Sequence, residues 1–178
     1  MALPEIRTWN HREVVTADQF NEQVRDVARS LTNPPYAICT RDSVLPVTGG
    51  TNALIPWTSA ETSGITTNSS AGYVTGLRVQ EAGLYWVDLS LCGRVTDSGI
   101  AHFQAYIKVN GNHAFSGTTT AEADGFQDSA YASGLLRLNA NDVVTVEVYV
   151  TAGRSAEFAE GPWQAYTCRL HLYWSGGF

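Results

Sequence analysis

From Gly83 to Leu91 the side chains alternate without a break. Tyr85, Val87, Leu89 and Leu91 fall on one side of an extended chain, and Trp86, Asp88 and Ser90 on the other. A period of two held this long does not suit a helix and specifies a strand with one face in a core. The pattern returns downstream. Ala101, Phe103, Ala105, Ile107 and Val109 oppose His102, Gln104, Tyr106 and Lys108. Val144, Val146, Val148 and Val150 oppose Val143, Thr145, Glu147 and Tyr149, while Cys168, Leu170 and Leu172 oppose Arg169, His171 and Tyr173. From Tyr36 onward no helical period appears. Short alternating runs separated by regular turn signals predict an all-β sandwich or barrel of eight to ten strands.

Turn chemistry divides these runs. Asn110-Gly111 is the strongest two-residue hairpin signal, because both positions need a positive φ. Asn139 to Asp142 turns the chain between the runs at 131–138 and 143–150. Pro46 and Pro56 remove backbone donors from Val44–Val47 and Leu54–Trp57, which predicts edge strands there. Residues 58–72, rich in Ser, Thr and Gly, read as a loop with one strand near Ile65, and 117–128 and 151–162 read as loops.

Residues 1–35 follow another rule. Thr16, three residues before Gln19, forms a capping box, and Asp18 suits a helix N-terminus. Phe20, Val24, Val27 and Leu31 recur at spacings of four, three and four, and Asn33-Pro34-Pro35 ends the helix. The spacing predicts one N-terminal α-helix with a seam narrower than a core-facing stripe, suited to self-association or to docking in a groove. The chain therefore divides into a leader, 1–35, with Trp9, Val14, Val15, Phe20, Val24, Val27 and Leu31 as anchoring residues, and a β-domain, 36–178.

Composition excludes several functions. Net charge is −6 with no basic run, so nucleic acid is not an expected partner. No apolar run approaches a membrane span, so no membrane association is expected, and Pro4, Glu5 and Arg7 stand where a secretion signal would be apolar. Charged residues make up only 16%, as when part of a surface faces other protein. Cys39, Cys92 and Cys168 lack metal-site spacing and read as free buried thiols. His11, His102, His113 and His171 are scattered, and no cofactor or metal is expected. Glu122, Asp124 and Asp128 loosely imitate a calcium loop without its ligand ladder, and a solvated loop is the plainer reading. No nucleophile elbow is present. Glu147, Glu157 and Glu160 are the carboxylates that could be paired for glycoside cleavage, but nothing in the sequence sets their separation.

Three stretches resemble one superfamily. Val79 to Val87, with Gly83 and Tyr85, is similar to an identifying strand of the tumour necrosis factor (TNF) and complement globular-head proteins. Leu136 to Val144 resembles their "Leu–x–x–Gly–Asp–x–Val" turn, with Asn141 where glycine is usual, and Tyr166 to Tyr173 resembles their closing strand. The resemblance implies a ten-strand jelly roll assembled as a trimer about a threefold axis. It implies that the outward residues Trp86, Tyr149, His171 and Tyr173 line that axis; Tyr106 joins them as an outward aromatic expected at the interface. It also implies that the three cysteines lie close together on adjacent strands of one sheet.

Residues 8–35, including Thr8-Trp9, Glu13 to Ala17, Asn21, Val24 to Asp26 and Asn33-Pro34-Pro35, resemble the leader of virion proteins of tailed phages, especially those of actinobacteria. That resemblance implies a structural virion protein, not an enzyme: a trimeric capsid decoration or minor tail protein, assembled in the host cytoplasm and docked to other virion proteins through residues 1–35. The alternatives are a receptor-binding module that contacts host cell-surface glycan through Trp57, Tyr131 and Trp163, and an enzyme degrading surface polysaccharide.

Overall fold

A computed structural model describes Val14, residues 16–21, Ala28 and residues 32–121, 127–159 and 168–177. The described residues form a four-residue helix, α1 (Ala17–Phe20), and thirteen strands. In chain order these are β1 (Tyr36–Arg41), β2 (Leu45–Thr48), β3 (Asn52–Leu54), β4 (Ser59–Ser63), β5 (Ile65–Ser70), β6 (Tyr73–Val79), β7 (Gly83–Val95), β8 (Ala101–Val109), β9 (Asn112–Ala121), β10 (Gln127–Leu138), β11 (Val143–Val150), β12 (Ser155–Phe158) and β13 (Cys168–Gly176).

All pairings are antiparallel and make two sheets. Sheet A runs β4-β1-β13-β7-β10, with β12 continuing along β7 beyond β13 and β2 outside β12. Sheet B runs β5-β6-β11-β8-β9, with β3 on β11 past the end of β6. The alternation seen in the sequence sets the packing. Tyr85, Val87, Leu89 and Leu91 are fully buried from sheet A, and Phe103, Ala105, Ile107, Val144, Val146, Val148 and Val150 from sheet B. Phe103 and Phe158 meet edge to face at 5.1 Å between the sheets. The Tyr85 hydroxyl escapes the cost of burial by donating to the Glu81 carbonyl at 2.9 Å.

The turns form as their residues require. Asn110 (φ 50°) and Gly111 (φ 82°) close the β8–β9 hairpin. Asn141 takes φ 74° at the position where the resemblance expects glycine, a conformation asparagine tolerates. Asp142 joins these two turns: its carboxylate accepts from the Asn110 side chain and the Asn139 N–H, both at 2.7 Å.

Three stretches expected to be loops hold strands. Residues 58–72 carry β4 as well as the expected strand at Ile65, β5, joined at Gly64; within 117–128, residues 117–121 continue β9 and β10 begins at Gln127; and 151–162 contains β12. Most of these strands lie at sheet margins with much of their side-chain surface open, so they have no apolar period to read. The count accordingly exceeds the ten expected.

At the N-terminus the capping box is present: Thr16 Oγ1 accepts from Gln19 N–H at 3.2 Å, and Gln19 Oε1 accepts from Thr16 N–H at 3.0 Å. Phe20 is 56% exposed and Val14 86%, and no residue of α1 is buried. Trp9, Val15, Val24, Val27 and Leu31 lie outside the described residues. No described helix is long and apolar enough to cross a membrane.

Candidate self-association face

The outward side of sheet A is laid out in rows by strand register. Leu135, Trp86, Tyr173 and Tyr36 make one row across β10, β7, β13 and β1. Ser133, Asp88, His171 and Ile38 make the next, and Tyr131, Ser90, Arg169 and Thr40 the third. Neighbours in a row stand within side-chain contact range, so each row is a continuous ridge.

The first row is open to solvent. Trp86 is 48% exposed, Leu135 47% and Tyr173 38%, and Tyr131 two rows away is 65% exposed. Four of the ten exposed large hydrophobic side chains among the described residues thus share one flat face. Local contacts order their rings. Tyr36 and Tyr173 stack at 6.5 Å, and His171 meets Tyr173 edge-on at 5.8 Å. The Tyr36 hydroxyl donates to Glu61 Oε1 at 2.6 Å, and this bond keeps the phenol protonated above its ordinary range. An apolar, aromatic centre edged by hydroxyls and a few charges has the composition of an interface core.

Of the five expected interface residues, Trp86, His171 and Tyr173 come together here. Tyr149 on β11 and Tyr106 on β8 do not: they point outward from sheet B, on the far side of the sandwich. Period two tells inward from outward but not which sheet a strand joins, and that is the physical source of the misplacement. Two members of the face were missed. Tyr36 was legible, since it alternates with the buried Ala37 and Cys39. Leu135 was obscured by its neighbour Leu136, because an apolar doublet hides which residue faces out.

The expected glycan residues also separate. Tyr131 belongs to the sheet A face, opposite Ser90. Trp57 is 1% exposed and is a core residue, so it is not available to a glycan: a two-way backbone pairing with Val74, at 2.8 and 3.0 Å, fixes it beside β6 with the side chain inward. Trp163 lies outside the described residues.

The cysteine strands are adjacent in sheet A in the order β7-β13-β1, and all three cysteines are free and buried. Alternation turns Cys39 and Cys168 inward, whereas Cys92 takes the other side of β7, with Ser129 opposite. Cys168 Sγ donates to the Cys92 carbonyl at 3.3 Å. Burial pushes the Cys39 and Cys168 thiols up to about 12.

The carboxylates are distributed among other tasks. Asp128 accepts from Ser129 N–H at 2.7 Å, while Glu122 and Asp124 lie outside the described residues. Glu157 on β12 takes two bonds from Arg94 at 3.0 and 2.7 Å, and Glu147 on β11 meets Lys108 Nζ at 2.5 Å and Asn52 Nδ2 at 3.0 Å. Burial would raise the Glu147 pKa, but the bonds from Lys108 and Asn52 outweigh it and hold the carboxyl below its ordinary range. Glu147 and Glu157 sit on opposite sheets and do not form a catalytic pair; Glu160 lies outside the described residues. Among the described residues no group of three or more His, Cys, Asp and Glu side chains could hold a metal ion.

Similar folds occur among solved structures. The chain matches Eiger TNF from S. frugiperda with a TM-score of 0.52 at 12% identity, covering 81% of this chain and 95% of that one. It matches murine APRIL at pH 5.0 with a TM-score of 0.53 at 13% identity, covering 79% and 98%, and at pH 8.0 with the same score and coverage at 14% identity. At these identities the shared property is the TNF-like jelly roll. No protein-family model matches, and no curated protein matches by sequence.

Proposed function

We propose that this chain is a non-enzymatic display module of a tailed bacteriophage particle: a homotrimer of TNF-like jelly rolls joined through the outer face of sheet A and docked to the capsid or tail by residues 1–35. The observation that carries the assembly is the solvent-open row Leu135–Trp86–Tyr173–Tyr36. Burying such side chains returns about 25 cal/mol per Å² of apolar surface, enough for a few large rings to dominate an interface. The low charge content and the exposed apolar positions Val14 and Phe20 around the leader helix support the same reading. The phage context rests on the resemblance of residues 8–35 to tailed-phage leaders.

Light scattering on the purified chain tests the assembly: a particle near three times the 19.3 kDa chain mass is expected, and a 19.3 kDa particle at micromolar concentration would reject it. Deleting residues 1–33 tests the anchor. The truncated chain should stay folded and trimeric yet be absent from purified particles; its incorporation would sink the anchoring role. Locating the protein in an electron-microscopy map of the particle decides between head and tail.

A further inference from the structure

If sheet A faces its copies, sheet B is the side of the sandwich that the assembly presents to its surroundings; that orientation rests on the reading above. The middle of this outer face is a grid. Asn52, Tyr149 and Gln104 make one row across β3, β11 and β8, and Glu147 and Tyr106 stand opposite one another in the next. Lys108 reaches diagonally to Glu147 at 2.5 Å, and Asn52 donates to the same carboxylate oxygen at 3.0 Å. Only 14% and 21% of the Lys108 and Glu147 side chains are exposed, so the pair is held by its neighbours rather than left waving in water.

The chemistry of this grid selects its ligand class. Its one central cation is neutralised by Glu147, so it offers little to a phosphate chain or an acidic polysaccharide. Its apolar content is Leu54, 42% exposed opposite Glu147 at the β3 margin, set among polar side chains, far less than the aromatic ridge that a protein partner would meet on sheet A. What it does offer is directional groups (an amide on Gln104, an amide on Asn52, the remaining lone pairs of Glu147) and two half-buried phenol rings, Tyr149 and Tyr106, the latter braced by His113 edge-on at 4.5 Å. Tyr106 and Tyr149 are diagonal neighbours, about 7–8 Å apart at the backbone, a span that consecutive sugar rings can bridge. Planar polar groups match paired hydroxyls, and aromatic rings take the C–H faces of pyranoses.

We infer that the outer face of sheet B is a binding surface for neutral oligosaccharide, with Tyr106 and Tyr149 as platforms and Gln104, Asn52 and Glu147 as hydroxyl partners. The test is affinity electrophoresis of the full chain in native gels cast with soluble β-glucan, α-mannan or galactan. Retardation by at least one is expected. Tyr106→Ala/Tyr149→Ala should weaken it at least tenfold, and Gln104→Ala, which leaves the aromatic packing intact and guards against misfolding of the double variant, should weaken it about threefold or more. Trp86→Ala should keep the affinity of each subunit and lose only the gain from multiple attachment. Failure of all three polysaccharides to retard the wild-type chain, or retardation indifferent to both sheet B variants, would overturn the inference. A monomeric chain that still shows Tyr106-dependent retardation would reject the trimer and leave this surface standing. A trimer with no retardation would do the reverse.

Discussion

Tyr173 stands directly opposite Trp86 in the β7–β13 register, and Leu135 stands opposite Trp86 on its other side, so the indole is the middle of a ridge on a face that no other described element covers. Removing the indole should therefore damage assembly and spare the fold. Trp86→Ala is expected to weaken association by at least about thirtyfold, the scale of an interface hot spot, while the thermal midpoint of the isolated subunit stays within a few degrees. Dilution series by light scattering and calorimetry read the two effects apart. An unchanged assembly mass at every dilution would remove Trp86 from the interface.

The β5–β6 hairpin carries avoidable strain. Ala71 sits at φ 51° beside Gly72 at φ 83°, the left-handed pair of a tight hairpin turn. Alanine resists that region, whereas asparagine accepts it. Ala71→Asn should raise stability by about 1 kcal/mol in urea unfolding. A lower midpoint would show that the turn relaxes in solution.

Gly117 on β9 has no space for a side chain, because a Cβ there would collide with the Tyr131 carbonyl oxygen on β10. Its backbone is extended rather than left-handed, so close approach is the whole reason for glycine. Gly117→Ala should cost about 3 kcal/mol, the upper end of overpacking penalties. Chemical denaturation measures it, and a change under 0.5 kcal/mol would mean that the two strands separate freely.

The buried thiols set an alkaline limit. Cys39 and Cys168 are pushed up to about 12 from an ordinary value near 9. Between those values the folded chain keeps protons that the unfolded chain releases. Stability is therefore complete below about pH 9 and falls as pH rises toward 12. Urea midpoints taken from pH 8 to pH 11 should drop, and Cys39→Ala/Cys168→Ala should flatten the slope. At pH 8 neither thiol of the folded wild-type chain should react with a thiol-specific reagent until the chain is unfolded.

What was legible in the sequence follows from period and punctuation. The alternation at Tyr85–Leu91 and at Val144–Val150 identified the core, and Asn110-Gly111 and Thr16-x-x-Gln19 identified a turn and a cap, because each signal is local. The margins were legible only in part: β5 showed through Ile65, but β4 and the second half of β9 bury little, so Ser, Thr and Gly there carry no apolar rhythm. The candidate face was half legible. Trp86, His171 and Tyr173 were recognised as outward, yet Tyr106 and Tyr149 were grouped with them, since sheet membership depends on long-range pairing. Trp57 was expected to contact glycan and is in fact core, held by its pairing with Val74.

The close approach of β9 to β10 has a further consequence. These strands lie at the margins of different sheets on the same flank of the sandwich, and they lean on each other. On the opposite flank β4 and β5 follow one another through Gly64 and join the two margins covalently. An open strand margin is a template on which a second chain can zip and start a fibre. Here each flank is occupied by a strand of its own molecule, which leaves few free amide rows for a crowded neighbour. Loosening Gly117 would then do more than cost stability: it would expose a growth point, and the variant should form fibres at concentrations where the parent chain remains clear.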